Sequence, residues 1–134
     1  MKHFSTPSVR NQRGLSMIGF LLVAALVVMA AMVTMKLVPA YIEFFSVKKI
    51  LVSMGQESDF RGKSNADIRS DFSRRTAADY VSVVKAEDLM IDRSSGIPVV
   101  SVDYEFRTKL IANVSLVIDF SASSDPAAAS RQIE

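Results

Sequence analysis

Between Met17 and Met35 the chain runs nineteen residues without a charge, and only Gly19 and Thr34 in that run are neither strongly apolar nor alanine. No other feature limits the possible folds as much. An α-helix advances about 1.5 Å per residue and a bilayer core is about 30 Å thick, so about 20 such residues suffice to cross it. A helix buried in a soluble core would instead need protein on every side. In a chain of 134 residues the remainder is too small to wrap it. A transmembrane helix over residues 15–38 is therefore expected. A cleaved secretory signal fits less well, because its apolar part is usually about 7–15 residues and ends at a small-x-small site. Thr34, Met35, Lys36, Leu37, Val38 and Pro39 offer no such site, so the anchor is expected to stay.

The formal charge of +2 conceals an asymmetry. Residues 1–40 carry Lys2, Arg10, Arg13 and Lys36 and no acid, whereas the rest carries twelve basic and fourteen acidic groups, a net of −2. The basic balance thus belongs to the N-terminal part, and no nucleic-acid surface is expected. A basic tail over residues 1–14 favours a cytoplasmic N-terminus and an exported C-terminal domain, although Lys36, Lys48 and Lys49 follow the span and only Glu43 offsets them. The absence of cysteine excludes disulfides and thiolate metal sites.

Pro39 lacks an amide hydrogen and disfavours helix in the residue before it, so a kink or break is expected at Val38–Pro39. Beyond it Tyr41, Phe44 or Phe45, Lys48, and Leu51 or Val52 recur at helical spacing, and Gly55 suits a C-cap. Tyr41 suits the aromatic belt at a membrane surface, while Phe45 through Leu51 suit packing on a sheet. Tyr41, Phe44 and Phe45 are the candidate membrane-interface or partner contacts. Residues 56–63 read as a polar loop. Ser64 with Asp67 approaches a capping box, opening a helix over 65–81 whose inner face is Ile68, Phe72 and Thr76, continued by Tyr80. Arg74 and Arg75, on the opposite face with Asp67, Arg69 and Asp71, read as a solvated face with local pairing rather than an anion site.

The last third changes period. Val100, Val102, Tyr104 and Phe106 alternate with Ser101, Asp103, Glu105 and Arg107, and Val114, Leu116, Ile118 and Phe120 with Ser115, Val117, Asp119 and Ser121. This is the two-residue period of half-buried antiparallel strands. Ser94–Ser95–Gly96 would turn "DLMIDR" into the second strand, and a turn near Leu110–Asn113 would lead to the third. The expected fold is α+β: a long transmembrane helix continuing into a small exported domain, residues 39–122, with a second helix and a three-stranded antiparallel sheet. That layout is also the layout of pilins. Residues 123–134 read as a disordered tail.

Reactive chemistry is sparse. His3, the single histidine, lies across the membrane from the domain, which removes a Ser–His–Asp triad. A Ser–Lys dyad with Lys48, Lys63, Lys85 or Lys109 as base is conceivable, but no serine is marked as a nucleophile. Asp103, Glu105 and Asp119 could share a sheet face, where alternation alone puts acids. No phosphate-binding glycine loop occurs, and the sequon at Asn113 carries no weight. No cofactor, no metal and no catalysis are expected. Ala30 with Thr34, and Ser16 with Gly19, would allow close helix approach, so self-association is open.

Two resemblances complete the reading. "RGLSMIGFLLVAALVV" resembles the class III signal of type IV prepilins, which implies cleavage between Gly14 and Leu15 and methylation of the new terminus. Prepilins usually carry Glu five residues after the cut, where Gly19 stands here; without that carboxylate the pairing with a neighbouring subunit's amine inside a filament is lost. "RGLSMIGFLLV", "KLVPAYIEFFSVKKIL" and "SVDYEFRTKLIANVSLVIDFS", in that order and spacing, resemble the DUF4845 family of proteobacterial membrane proteins. That resemblance implies a Gram-negative inner membrane, with the bilayer and other inner-membrane or periplasmic proteins as partners, and implies no activity.

Overall fold

A computed structural model of the chain describes residues 16–125 and Ala127. Its first element, α1, is one helix of 39 residues, Met17–Gly55. Ser16 caps it by accepting the Gly19 amide at 3.2 Å, and leucine, alanine and methionine carry it forward as good helix formers. The hydroxyl of Thr34 donates to the Ala30 carbonyl at 2.8 Å, so this polar group is satisfied within its own helix. α1 is long and apolar enough to cross a membrane, and none of its apolar part is buried against the rest of the protein.

The break expected at Val38–Pro39 does not occur, and α1 runs through Pro39 without interruption. The reason lies 70 residues further along the chain. α2 (Asn65–Ala78) is followed by a sheet in the order β1 (Met90–Asp92), β2 (Val99–Ile111), β3 (Val114–Ser123), all antiparallel. The β2–β3 hairpin lies along α1 and touches it on both sides of the proline. Below it, Lys36 donates its ammonium to the Lys109 carbonyl; above it, Tyr41 and Phe44 meet Phe120. A strand advances about 3.3 Å per residue against about 1.5 Å for a helix, so about 11 residues of β2 keep pace with about 24 of α1. The hairpin is a splint across the one residue where the helix lacks a hydrogen bond.

The core sits where the upper half of α1 meets the sheet and α2. Val47, Leu51 and Met54 on α1 are fully buried against Val100 and Val102 on β2 and against Ile68 and Phe72 on α2. The α2 cap is as expected: Ser64 accepts the Asp67 amide at 3.2 Å, and Asp67 accepts the Ser64 amide at 3.3 Å. The helix is shorter than expected, however. It ends at Ala78, and Tyr80, expected to continue the inner face, adopts a left-handed φ of 55° and is exposed. The segment expected as a polar loop hides a core residue: Phe60, in a single 3₁₀ turn, is 1% exposed. Its aromatic ring closes the core beneath α2, which polar neighbours on both sides had masked.

Both turns fall where expected. Gly96 takes a φ of 78° before β2, and Ala112 a φ of 45° between β2 and β3. The second is strained, since a left-handed conformation costs a residue with a Cβ about 1–2 kcal/mol. Ser123 and Ser124, expected in a disordered tail, belong to the fold. Ser123 ends β3, and Ser124 is buried, exchanging bonds with Val100 at 2.8 and 3.0 Å. Gly55 is not a left-handed cap; it is the last helical residue, with Gln56 as the cap. Its lack of a side chain serves another purpose. A Cβ there would stand 3.1 Å from both Cβ and O of Ser124, a residue that its bonds to Val100 prevent from moving away.

A half-buried ion-pair network ties α1 to α2. Lys63 reaches Glu57 at 2.7 Å and Asp71 at 3.2 Å; Arg75 reaches Glu57, Asp71 at 3.2 Å, and the Ser53 hydroxyl at 3.2 Å. Hydrogen bonds from Lys63 and Arg75 hold the Glu57 carboxyl below its ordinary value. For Asp71 burial pulls upward and is outweighed by bonds from Arg75 and Lys63, so it too is lowered.

Two outcomes follow for full-length protein in detergent. Gly55→Ala is expected to lower the melting temperature: the gain of about 1 kcal/mol in helix propensity is exceeded by an overpacking cost of about 1–3 kcal/mol. Because both network carboxyls are lowered, their contribution is present above the unfolded values and is lost as pH falls through the folded ones. Melting temperature should therefore hold steady from about pH 7 to about pH 5 and drop below about pH 4; Arg75→Met should flatten that drop.

Candidate functional site

The sequence-expected contact residues Tyr41, Phe44 and Phe45 stand on the first turns of α1 past Pro39, and the structure divides them. Tyr41 and Phe44 turn toward the sheet because the same face carries Ala40 and Val47 into the core. Phe120 of β3 is their common partner. Tyr41 meets it edge-on at 5.3 Å and 89°, Phe44 stacks on it at 4.9 Å and 26°, and Tyr104 of β2 lies beside it at 5.4 Å. Tyr104 and Phe120 are directly paired across the strands. Ring pairs of this geometry contribute about 0.5–1.5 kcal/mol each beyond the area they bury.

The segment Phe45–Leu51, read for the sheet, packs there through Val47, Ile50 and Leu51, while Phe45 itself is 60% exposed. Tyr41, read for the membrane belt, meets Phe120 edge-on and keeps 44% of its surface exposed. The helical phase explains Phe45: it is one residue, about 100°, past Phe44 and points away from β3. With Val38 at 48% and Ile42 at 59% exposure it forms an apolar stripe on the outer face of α1. The spacing i, i+4, i+7 puts the three side chains in one row. Sequence reasoning missed Val38 and Ile42 because every position of this helix near the membrane is apolar. Only the position of the sheet tells which face is left over.

One polar atom in the aromatic cluster has no partner. The Tyr104 hydroxyl is buried and makes no hydrogen bond among the described residues. Burial first, and the nearby Glu43 carboxylate second, push its ionisation up to about 12, so it stays neutral. Glu43 itself accepts the Ser82 amide at 3.4 Å.

Several of the other candidate groups find structural partners. On the outer face of the sheet Asp103 lies opposite Ser121, which donates to it, and Glu105 opposite Asp119, with Arg107 bonding Glu105 at 3.0 and 3.1 Å. Among the described residues no group of three or more acids or histidines could hold a metal. Lys63, a candidate base, is held protonated by Glu57 and Asp71, the reverse of what proton abstraction needs. Arg75 belongs to the ion-pair network and is no free anion receptor. Gly14 and Leu15 lie outside the described residues.

The model of a family described as "Domain of unknown function (DUF4845)" matches residues 36–120, more than half of the chain. The match begins at the lysine that ends the apolar run and closes on Phe120, the centre of the aromatic cluster. No curated protein and no solved structure matches.

Tyr104→Phe, which removes only the unpartnered hydroxyl, is expected to raise stability by about 1 kcal/mol. Phe120→Ala should instead cost about 3–5 kcal/mol. Chemical denaturation of the full chain in micelles reads both. A loss of stability in Tyr104→Phe would mean that the hydroxyl is engaged.

Proposed function

The chain belongs to the DUF4845 family, and from that premise we propose that it is a single-pass inner-membrane protein. Its periplasmic domain is a binding or assembly module without catalysis of its own. The observation that carries this reading is the division of α1: an uncovered apolar half and, without a break, a half that walls the core of the domain. Such a rod holds a domain at a fixed attitude to a bilayer, which suits assembly more than turnover. The absence of acids among residues 1–40 and the basic groups at 2, 10 and 13 support a cytoplasmic N-terminus. The Val38–Ile42–Phe45 stripe supports a protein partner within the membrane or just above it, since it presents three large apolar groups in one row on the face of α1 turned away from the core.

A second reading, a pilin-like subunit processed after Gly14, draws support from the layout of a half-apolar helix packed on an antiparallel sheet. Gly19 weakens it, because the position of the filament's ion pair holds no carboxylate.

The expected product is a chain that resists carbonate extraction from membranes, with an intact N-terminus or one lacking only Met1, read by mass spectrometry. Reporter fusions should put the C-terminus outside the cytoplasm. A chain washed free by carbonate, or a cytoplasmic C-terminus, would overturn the first reading, and a methylated Leu15 terminus would replace it with the second. Val38→Asp combined with Phe45→Asp should abolish the cross-linked partner seen with the parent chain while leaving the domain folded.

A further inference from the structure

The β2–β3 hairpin does not stop where the domain stops. Past the aromatic cluster it continues down the flank of α1, until Leu110, Ile111 and Val114 stand beside Met29, Met32 and Val33 across a groove of about 150 Å³. Those helix residues belong to the apolar run itself. From Leu110 to Ile118 the hairpin carries no charge, and Ile111 and Val114 are 51% and 60% exposed. The turn keeps this character at a cost in backbone strain. Its left-handed position, which favours glycine, asparagine or aspartate, is held by Ala112. On β2 and on the helix charge resumes together, with Lys109 and Lys36 joined by the bond from the Lys36 ammonium to the Lys109 carbonyl, while on β3 it resumes higher, at Asp119. Lysines collect in this way at the headgroup level, where long side chains keep their charge in water above an apolar body.

We propose that the hairpin tip, Leu110–Val114, is a second membrane contact, seated in lipid beside the anchor in the leaflet that faces the domain. The proposal rests on the reading that α1 spans the bilayer. Its depth follows from the helix. Met32 and Met29 lie four and seven residues below Lys36, about 6–10 Å along the axis, and apolar groups held at the headgroup–acyl boundary reach about 5–10 Å. Deeper insertion is opposed by the outer edges of the hairpin, whose unpaired backbone groups need water or headgroups. Lipid is favoured over a second copy of the chain because the exposed tip is continuous with the uncovered surface of the span, and one solvent covers both.

The chain has no cysteine, so single substitutions can carry an environment-sensitive thiol fluorophore. Full-length protein is reconstituted in vesicles of phosphatidylethanolamine and phosphatidylglycerol and labelled at Val114→Cys (tip), Val27→Cys (anchor) or Ser95→Cys (distant turn). Blue-shifted emission at Val114 and Val27, quenched by shallow spin-labelled lipid at Val114 and by deep spin-labelled lipid at Val27, with Ser95 quenched only by aqueous iodide, is the expected result. Adding Ile111→Asp should return the Val114 probe toward the aqueous signal and leave Val27 unchanged. A lipid-exposed Val27 with an iodide-quenched Val114 would overturn the tip contact alone. If Val27 were also aqueous, the anchor reading would fall with it. A Val114 probe shielded from both quenchers and cross-linking between copies would overturn lipid as the occupant.

Discussion

A single uninterrupted helix has to satisfy two solvents. The lower part of α1 presents apolar side chains in every direction, which only lipid accepts without cost, and the upper part presents one apolar face to a sheet and leaves the rest to water. Everything else in the structure is arranged around that change of surroundings along one axis. The sheet supplies the cover that the upper face needs, α2 and Phe60 close the core from the far side, and the ion-pair network fastens the top of the rod to α2.

The hairpin is the element that makes the arrangement hold. Proline in the middle of a helix removes a hydrogen bond and crowds the preceding turn, with a cost of about 3 kcal/mol in an unsupported helix. Contacts on both sides of Pro39, a lysine–carbonyl bond below and a ring cluster above, offset that cost and keep the axis continuous. The close passage of Ser124 over Gly55 marks the other end of the same seam. From one end of the domain to the other, α1 and the hairpin are therefore joined along most of their common length.

Much of this was legible in the residues. The apolar run, the Ser64–Asp67 cap and the change to a two-residue period past Val99 each report local physics, and each element appeared. What stayed hidden depends on which residues meet. Phe60 looked like part of a polar loop because its neighbours are polar, and its burial is decided by α2 passing over it. Gly55 looked like a cap because glycine after a helix usually is one, whereas its use here is set by a serine 69 positions later. Tyr41 and Phe45 could not be sorted between sheet and solvent by periodicity alone. Their fate rests on the rotation of α1 against β3. The family whose model matches this chain is described without a function, so the functional reading has to be drawn from the surfaces that packing leaves over.

Continuity through Pro39 has a mechanical consequence. The seventeen residues from Pro39 to Gly55 make a lever about 25 Å long; membrane helices stand on average about 20° from the bilayer normal and tilt further in thinner bilayers, and each change of about 10° would swing the far end through about 4 Å. A jointed helix would absorb that motion at the proline. This one, braced along its length, would convert a change in bilayer thickness into displacement at the outermost surface.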